Sequence, residues 1–249
     1  MKGKKILLIN KDSFLFLDSE KDSNTQFGII KSKDLKKLKN GSKIKTHTGV
    51  EFYAVEPSNP DLIKKVIRLP QIITLKDIGS IVMYLGIKNG SKVFDAGSGS
   101  GINACVIASL SNEIKVYSYE IRRDFIKVAT KNSKLFGLDN IKFINKDVRE
   151  GIKEKNFTCG ILDIPEPWSA IPVIQKNFSV GARIVTYSPS IIQVEKTLRN
   201  LPKCFKVERL IQNNEVNWKV EIDKDILRPE TNSVYHTGFL LFIRKTSKE

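Results

Sequence analysis

Two kinds of hydrophobic spacing divide the chain. Up to about residue 60 the apolar positions come in short runs, at Lys5 to Ile9, Phe14 to Leu17, Phe27 to Ile30 and Glu51 to Val55, separated by Asn, Gly, Ser and Asp. Runs of that length between turn residues predict strands of a small β-domain. Glu56-Pro-Ser-Asn-Pro60 reads as a linker, and Asp61 to Arg68 as a short helix after it. From about residue 74 near-continuous apolar runs alternate with helix-length segments, the pattern of βαβ units on a buried parallel sheet. The predicted strands are Lys92 to Asp95, Lys115 to Glu120, Ile141 to Asn145, Thr158 to Asp163, Ala182 to Tyr187, Phe205 to Gln212 and Gly238 to Arg244. Helices are predicted at Ile78 to Leu85, Ile102 to Leu110, Arg123 to Phe136, Ser169 to Phe178 and Ser190 to Asn200. The last two strands lack a helix between them, which predicts an antiparallel hairpin at the sheet edge. The expected division is a small basic β-domain at 1–60 and an α/β domain at 61–249.

Charge adds a partner to this picture. The formal charge is +15, and the first 66 residues hold 14 lysines against 8 acids. Such an excess favours a polyanion, because each phosphate neutralised by Lys or Arg releases condensed counterions. Lysine-rich composition without a partner is the plain alternative. The run from Lys31 to Lys39, with Lys43 and Lys45 behind it, is the densest part, and Lys36 and Lys37 are candidate phosphate contacts. No apolar run is long enough to span a bilayer, and the apolar stretch near Met1 is too short for a signal peptide, so a cytoplasmic protein is expected. Cys105, Cys159 and Cys204 are far apart and only two histidines are present, which indicates neither a metal site nor a disulfide framework.

The chemistry concentrates at the ends of the predicted strands. Val93 to Gly101 reads VFDAGSGSG: a buried strand ending in Asp95, then Gly97, Ser98, Gly99, Ser100 and Gly101, then a helix. Glycines there let the backbone pass close to a ligand at the carboxyl end of a strand, where open α/β sheets bind ligands. The next strand ends in Glu120, an acid at the distance that suits both hydroxyls of a ribose. A dinucleotide and another nucleoside cofactor both fit so far. Against the dinucleotide, the loop is GxGxG rather than GxGxxG, and the carboxylate of Asp95 would repel a pyrophosphate. It can instead order the amino-acid end of a cationic cofactor, directly or through water. Asp147 and Val148 follow the third strand. After the fourth comes Asp163-Ile-Pro-Glu-Pro-Trp168, where two prolines fix an extended turn able to hold a carboxylate and an aromatic at the lip of a pocket.

The glycine loop with its preceding acid resembles the first motif of class I S-adenosylmethionine-dependent methyltransferases, and the region 71–244 is compatible with their Rossmann-like seven-stranded sheet. DIPEPW further resembles a spaced form of the tetrapeptide found in enzymes of this class that methylate nitrogens of bases. Together with RLPQIITLKDIGSIVMYLGI at 68–87, TYSPSIIQVEKT at 186–197 and RPETNSVYHTGFLLFIRK at 228–245, it is similar to the transfer RNA adenine-N1 methyltransferases that modify the T-loop. The resemblance implies S-adenosylmethionine as cofactor, transfer RNA as partner, and 1-methyladenosine at position 58, with 57 beside it, as product. It implies that Asp147 meets the adenine amino group of the cofactor, that Asp163 is catalytic, and that Trp168, Tyr187 and His236 serve the substrate base. It also implies a homo-oligomer, typically a tetramer. Thr74-Leu75 stands where the family commonly has Tyr or His followed by Pro, and Asn232-Ser233 and Tyr235 replace Arg-Met and Gly.

Three other readings compete. A non-catalytic RNA-binding partner subunit of the same fold would not need the intact acids and glycines. A protein methyltransferase of the isoaspartyl type shares the early architecture but does not account for DIPEPW or the charge. A nicotinamide dehydrogenase is disfavoured by Asp95 and the glycine spacing.

Overall fold

The computed structural model describes residues 5–69, 71–231 and 236–248, so Asn232, Ser233 and Tyr235 lie outside the described residues. The chain divides into two compact units. One runs to Val66 and takes in Leu135–Gly137; the other holds Ile67–Lys134 and the chain from Leu138 onward.

In the first unit, β1 (Lys5–Ile9), β2 (Phe14–Asp18), β5 (Lys43–Lys45) and β6 (Glu51–Val55) form an antiparallel sheet in the order β2-β1-β6-β5. A separate hairpin pairs β3 (Ser23–Thr25) with β4 (Gly28–Ile30), and a four-residue helix, α1 (Ser32–Leu35), falls inside the lysine run. Alternation sends Ile6, Leu8, Ile44, Phe52 and Ala54 inward onto Ile30 and Leu35. The predicted helix from Asp61 is shorter and earlier, α2 (Asn59–Ile63). Ser58 and Asp61 form a capping box at its start and Pro60 lies in its first turn, both signals for a helix N-terminus.

The second unit opens with α3 (Leu75–Leu85) and then alternates: β7 (Lys92–Ala96), α4 (Ile102–Ser109), β8 (Lys115–Glu120), α5 (Arg123–Leu135), β9 (Ile141–Asn145), β10 (Phe157–Leu162), α6 (Pro167–Ile174), β11 (Phe178–Ser188), α7 (Ile191–Arg199) and β12 (Phe205–Ile211). A hairpin of β13 (Trp218–Glu221) and β14 (Ile226–Pro229) precedes the last strand, β15 (Phe239–Lys245). The seven-stranded sheet has the order β12-β15-β11-β10-β7-β8-β9, and only β15 runs against its neighbours. It matches the seven-stranded Rossmann-like sheet expected from the sequence. The edge hairpin expected from the sequence is the β12–β15 pair, but β15 inserts beside β11 and leaves β12 outermost. The β13–β14 hairpin between them was not predicted, although Val216, Trp218, Val220 and Ile222 alternate with polar residues at strand spacing.

Strand β11 begins four residues before its predicted start, because Phe178 is drawn into a ring cluster with Phe94 and Phe157, at centroid distances of 5.5 and 5.6 Å. Gly160 on β10 makes that cluster possible: a Cβ there would sit 2.6 Å from a Phe178 ring carbon. The crossover order turns between β7 and β10, so a crevice opens where the carboxyl ends of those strands part.

Gly160→Ala is expected to overpack this cluster at a cost of about 1–3 kcal/mol, whereas Gly79→Ala, on the exposed side of α3 with open space around it, is expected to raise stability by up to about 1 kcal/mol. Thermal unfolding of the two variants should move the midpoint in opposite directions.

Candidate active site

A cavity of about 790 Å³ occupies that crevice. Gly97, Ser98, Gly99 and Ser100, the loop between β7 and α4, form its floor. The loop is tied at its start to the strands on either side: the Gly97 amide donates to the Asp163 carbonyl at 3.1 Å, and the Ser98 amide to the Tyr119 carbonyl at 2.9 Å. A side chain at Gly97 would meet the Glu120 carboxylate at 3.2 Å, so the glycine keeps the floor open. Gly101 does not line the cavity. It caps α4 in a left-handed conformation with φ of 77°, and a Cβ would come within 2.7 Å of Ala129.

Glu120, at the end of β8, reaches the cavity with its carboxylate gripped by the backbone amides of Gly99 and Arg122, each at 3.0 Å. Asp163 and Tyr187, at the ends of β10 and β11, face the same space. Asp147 and Val148 complete one side, but Asp147 is not a free acceptor: Arg149 donates to both of its carboxylate oxygens and Arg149 also reaches Glu166. The Arg149 guanidinium holds the Asp147 carboxyl below its ordinary range.

Asp95 corrects the sequence reading. It is buried behind the loop and does not line the cavity; its oxygens accept from Ser118 and from the Asn103 side-chain amide, and Ser98 bonds Ser118 in turn. With β7 paired on both sides, the side chain at 95 points into the layer beneath the glycines, so its action on a ligand is through its field. Trp168 is a second correction. Because α6 starts at Pro167, the indole is turned to α7, where the Lys196 ammonium lies 5.3 Å from its ring, and it does not line the cavity. His236 is exposed at the rim, with Nε2 donating to the carbonyl of Pro189 at 2.9 Å, and Pro189 itself lines the cavity. Lys36 and Lys37 belong to the first unit. Lys36 pairs with Glu20 at 2.9 Å, and Lys37 is exposed.

Two residues that shape the wall escaped the sequence reading, Gln193 within it and Asp77 behind it. Gln193, in the first turn of α7, donates to the Pro165 carbonyl at 3.2 Å and so braces the proline turn that carries Asp163. Asp77 is fully buried at the start of α3 and accepts from Thr74, Lys76, Asn213 and Thr237, with the Tyr187 hydroxyl at 3.4 Å. Burial alone would raise its pKa, but Thr237, Asn213, Lys76 and Thr74 hold the carboxyl below its ordinary value. This knot ties the start of α3 to the segments before β13 and β15. Tyr187 is seated by it, and its ring passes where any side chain on Gly238 would collide, at 2.6 Å. Burial and the charges of Asp77 and Asp163 push the Tyr187 phenol up to about 12, so it is neutral at physiological pH. Only the KD within 68–87 hinted at the knot.

The electrostatics of the cavity are one-sided. Burial, with the negative charges of Asp95 and Glu120, pushes Asp163 up to about 7, although its carboxyl faces the cavity and keeps part of its surface accessible. Burial pushes Asp95 up to about 6 despite its two donors, with Glu120 adding to the shift. The wall carries Glu120, Asp147, Asp163 and Glu166 against Arg122 and Arg149, with Asp95 behind the floor, and this surplus of negative charge favours a cationic ligand over a phosphate. A glycine floor, an acid fixed by backbone amides and a surplus of negative charge fit S-adenosylmethionine, whose sulfonium and ribose need those features.

Fold and site together define a class I S-adenosylmethionine-dependent methyltransferase. Residues 51–219 match the family described as tRNA methyltransferase complex GCD14 subunit. The chain is 35% identical over 254 residues to a tRNA (adenine(57)-N(1)/adenine(58)-N(1))-methyltransferase, TrmI, of Methanocaldococcus jannaschii, covering 88% of this chain and 86% of that protein. Among solved structures, a SAM-dependent O-methyltransferase from Thermotoga maritima superposes with a TM-score of 0.82 at 31% identity, covering 100% of this chain and 95% of that one. The tRNA (m1A58) methyltransferase TrmI of Aquifex aeolicus superposes with a TM-score of 0.77 at 26% identity, covering 98% of each chain. The chain belongs to the GCD14 tRNA methyltransferase family.

Two outcomes follow from the site. Cofactor affinity is expected to rise with pH up to about 7 and then level off, because the cation binds the ionised form of Asp163. Calorimetry in buffers of different ionisation enthalpy should show proton release near pH 7 that Asp163→Asn reduces. Asp77→Asn leaves Lys76 without its anion and is expected to cost about 3–5 kcal/mol, read from thermal unfolding.

Proposed function

We propose that this chain transfers the methyl group of S-adenosylmethionine to N1 of a T-loop adenosine in transfer RNA, at position 58, with 57 as a second candidate. The observation that carries the reading is the placement of Asp163. A carboxylate that titrates near neutrality stands on a proline-braced turn in the same cavity as the glycine floor and Tyr187.

When bound, the cofactor supplies a methyl group already activated by its positive sulfur. The backbone of Gly97 to Ser100 cradles it, Glu120 is set to accept from its ribose hydroxyls, and Asp147 with Val148 lies where its adenine would rest. For that contact the Arg149 guanidinium must share Asp147, and Glu166 is at hand to hold it. With S-adenosylmethionine held there, transfer of its methyl to the N1 lone pair would leave the base cationic. Asp163, accepting from the exocyclic amine, stabilises that charge as it develops and can take the amine proton. Tyr187, locked as a neutral phenol, forms the wall against which a flipped base stacks. His236 supports the rim through Pro189, and Lys36 and Lys37 offer phosphate contacts on the other unit. Among the described residues no helix is long and apolar enough to cross a membrane. We place the protein in the cytoplasm, as a homo-oligomer, with a tetramer supported by the family resemblance. The exposed Trp218, Val220 and Leu227 of the β13–β14 hairpin support a subunit contact there.

Asp163→Ala is expected to lower turnover about 10²- to 10³-fold, with cofactor affinity falling no further than the parent's own value below the Asp163 titration. The assay is labelled methyl transfer to unmodified transfer RNA followed by nucleoside analysis. A near-parental rate in the variant would remove Asp163 from the reaction, and another methylated nucleoside from the parent would overturn the choice of substrate atom.

A further inference from the structure

The outer face of the first unit carries a feature that the methyl-transfer site does not explain. Register on this face places Phe14 opposite Ile9, Ile9 opposite Tyr53, and Tyr53 opposite Lys43, so these side chains form one row across all four strands. A sheet face in water normally presents polar residues, yet Phe14 is 57% and Tyr53 45% exposed. Phe16, two residues along β2, points the same way. Each ring has an ammonium beside it: Lys43 at 5.3 Å from the Tyr53 centroid, Lys64 at 5.5 Å from Phe14, and Lys65 at 5.9 Å from Phe16. Two acids share this face and both are paired, Glu51 with Lys45 at 3.0 Å and Lys43 at 3.9 Å, and Asp18 with Lys5 at 2.9 Å.

We propose that this face is a binding platform for unpaired nucleotides of RNA, with Phe14, Phe16 and Tyr53 as stacking surfaces and Lys43, Lys64 and Lys65 as phosphate contacts. A ring with a mobile cation next to it matches a nucleotide in both parts: the base takes the ring face, and the ammonium slides to the phosphate. Stacking of this kind tolerates any sequence, because every base has a π-face, and the lysines contribute a salt-dependent share. The lysines favour a polyanion over a neutral partner, and the spacing of rings along strands suits successive bases rather than a duplex, whose bases are already stacked. The platform is separate in sequence from Lys36 and Lys37. Its partner rests on the reading of the chain as an RNA methyltransferase.

The test uses the full chain and unmodified transfer RNA, with binding measured by fluorescence anisotropy in the absence of cofactor. Phe14→Ala/Tyr53→Ala is expected to weaken binding about tenfold or more, with the salt dependence unchanged. Lys43→Gln/Lys64→Gln/Lys65→Gln should flatten the log affinity against log salt slope by about 2 to 3. Both variants should keep the parental unfolding midpoint and cofactor affinity, since the altered groups are exposed. Phe14→Trp/Tyr53→Trp should bind at least as well as the parent. Affinity of the Ala pair within twofold of the parent overturns the proposal. So does an equal loss for a fully double-stranded RNA, or a change in oligomeric mass, which would make the face a subunit contact. Loss of binding in the Ala pair together with a product other than 1-methyladenosine would keep the platform and reject the reaction; unchanged binding with 1-methyladenosine formed would do the reverse.

Discussion

The second unit is organised around the convergence of Asp95, Glu120 and Asp163 where β7, β8 and β10 end. Parallel pairing puts these strand ends side by side, with Asp95 in register with Ser118 on one side and Ile161 on the other. Burial penalises the charged forms of Asp95 and Asp163 and like charges add to the penalty, and the fold relieves both by binding protons. Because Asp95 and Asp163 titrate higher in the fold than in an open chain, the folded state holds more protons. Stability from this source therefore falls as pH rises from the ordinary carboxylate value of 3.8 towards about 7. A cation in the cavity reverses that cost. Destabilisation of the empty site and affinity for a sulfonium are two sides of one arrangement.

The acids around the cavity sort into two groups by their surroundings. Asp77 and Asp147 have cationic or hydroxyl partners that lower their pKa, and both act on structure: Asp77 knots four segments, and Asp147 fixes Arg149 at the rim. Asp95 and Asp163 are raised, and of these only Asp163 faces the cavity. A carboxyl with a pKa near 7 in contact with bound groups is suited to proton exchange at neutral pH, and the lowered ones are not. The separation picks out one residue for chemistry without reference to any relative.

The sheet was legible in the sequence because buried parallel strands leave unbroken apolar runs, and four of the acids that matter sit at the ends of those runs. Strand limits moved by a residue or two, and by four at Phe178, where ring packing against Phe94 and Phe157 outweighs the weak local signal of Phe-Ser-Val-Gly. The part of the cavity around Gly97 to Ser100, Glu120 and Asp147 is built from segments in sequential order, each at a strand end, and was read nearly whole. The part around Tyr187 is not. It depends on contacts between Asp77, Tyr187, Asn213 and Thr237, which are up to 160 residues apart, and no periodicity records them. Asp95 was misplaced for a related reason: strand spacing gives a residue's height along the sheet but leaves open whether its side chain lies above or below the loop that follows. Trp168 was misplaced because a helix starting at Pro167 rotates it away, a matter of a hundred degrees that a motif does not specify.

The departure from the family pattern at Thr74-Leu75 finds its physical account in the same knot. Leu75 is the first residue of α3, a position where a proline has no hydrogen bond to lose, so leucine and proline are interchangeable there for the helix itself. Thr74 is the residue before it, and its hydroxyl donates to Asp77 at 3.0 Å while its carbonyl accepts from the Asp77 amide. A small hydroxyl at this point serves the buried carboxylate from within the chain turn. A large aromatic or imidazole there would have to project elsewhere, and Gln71, Ile72 and Ile73 just before it already line the cavity. The hydroxyl at 74 is therefore one of the groups that hold Asp77, and through Asp77 the Tyr187 hydroxyl, in place.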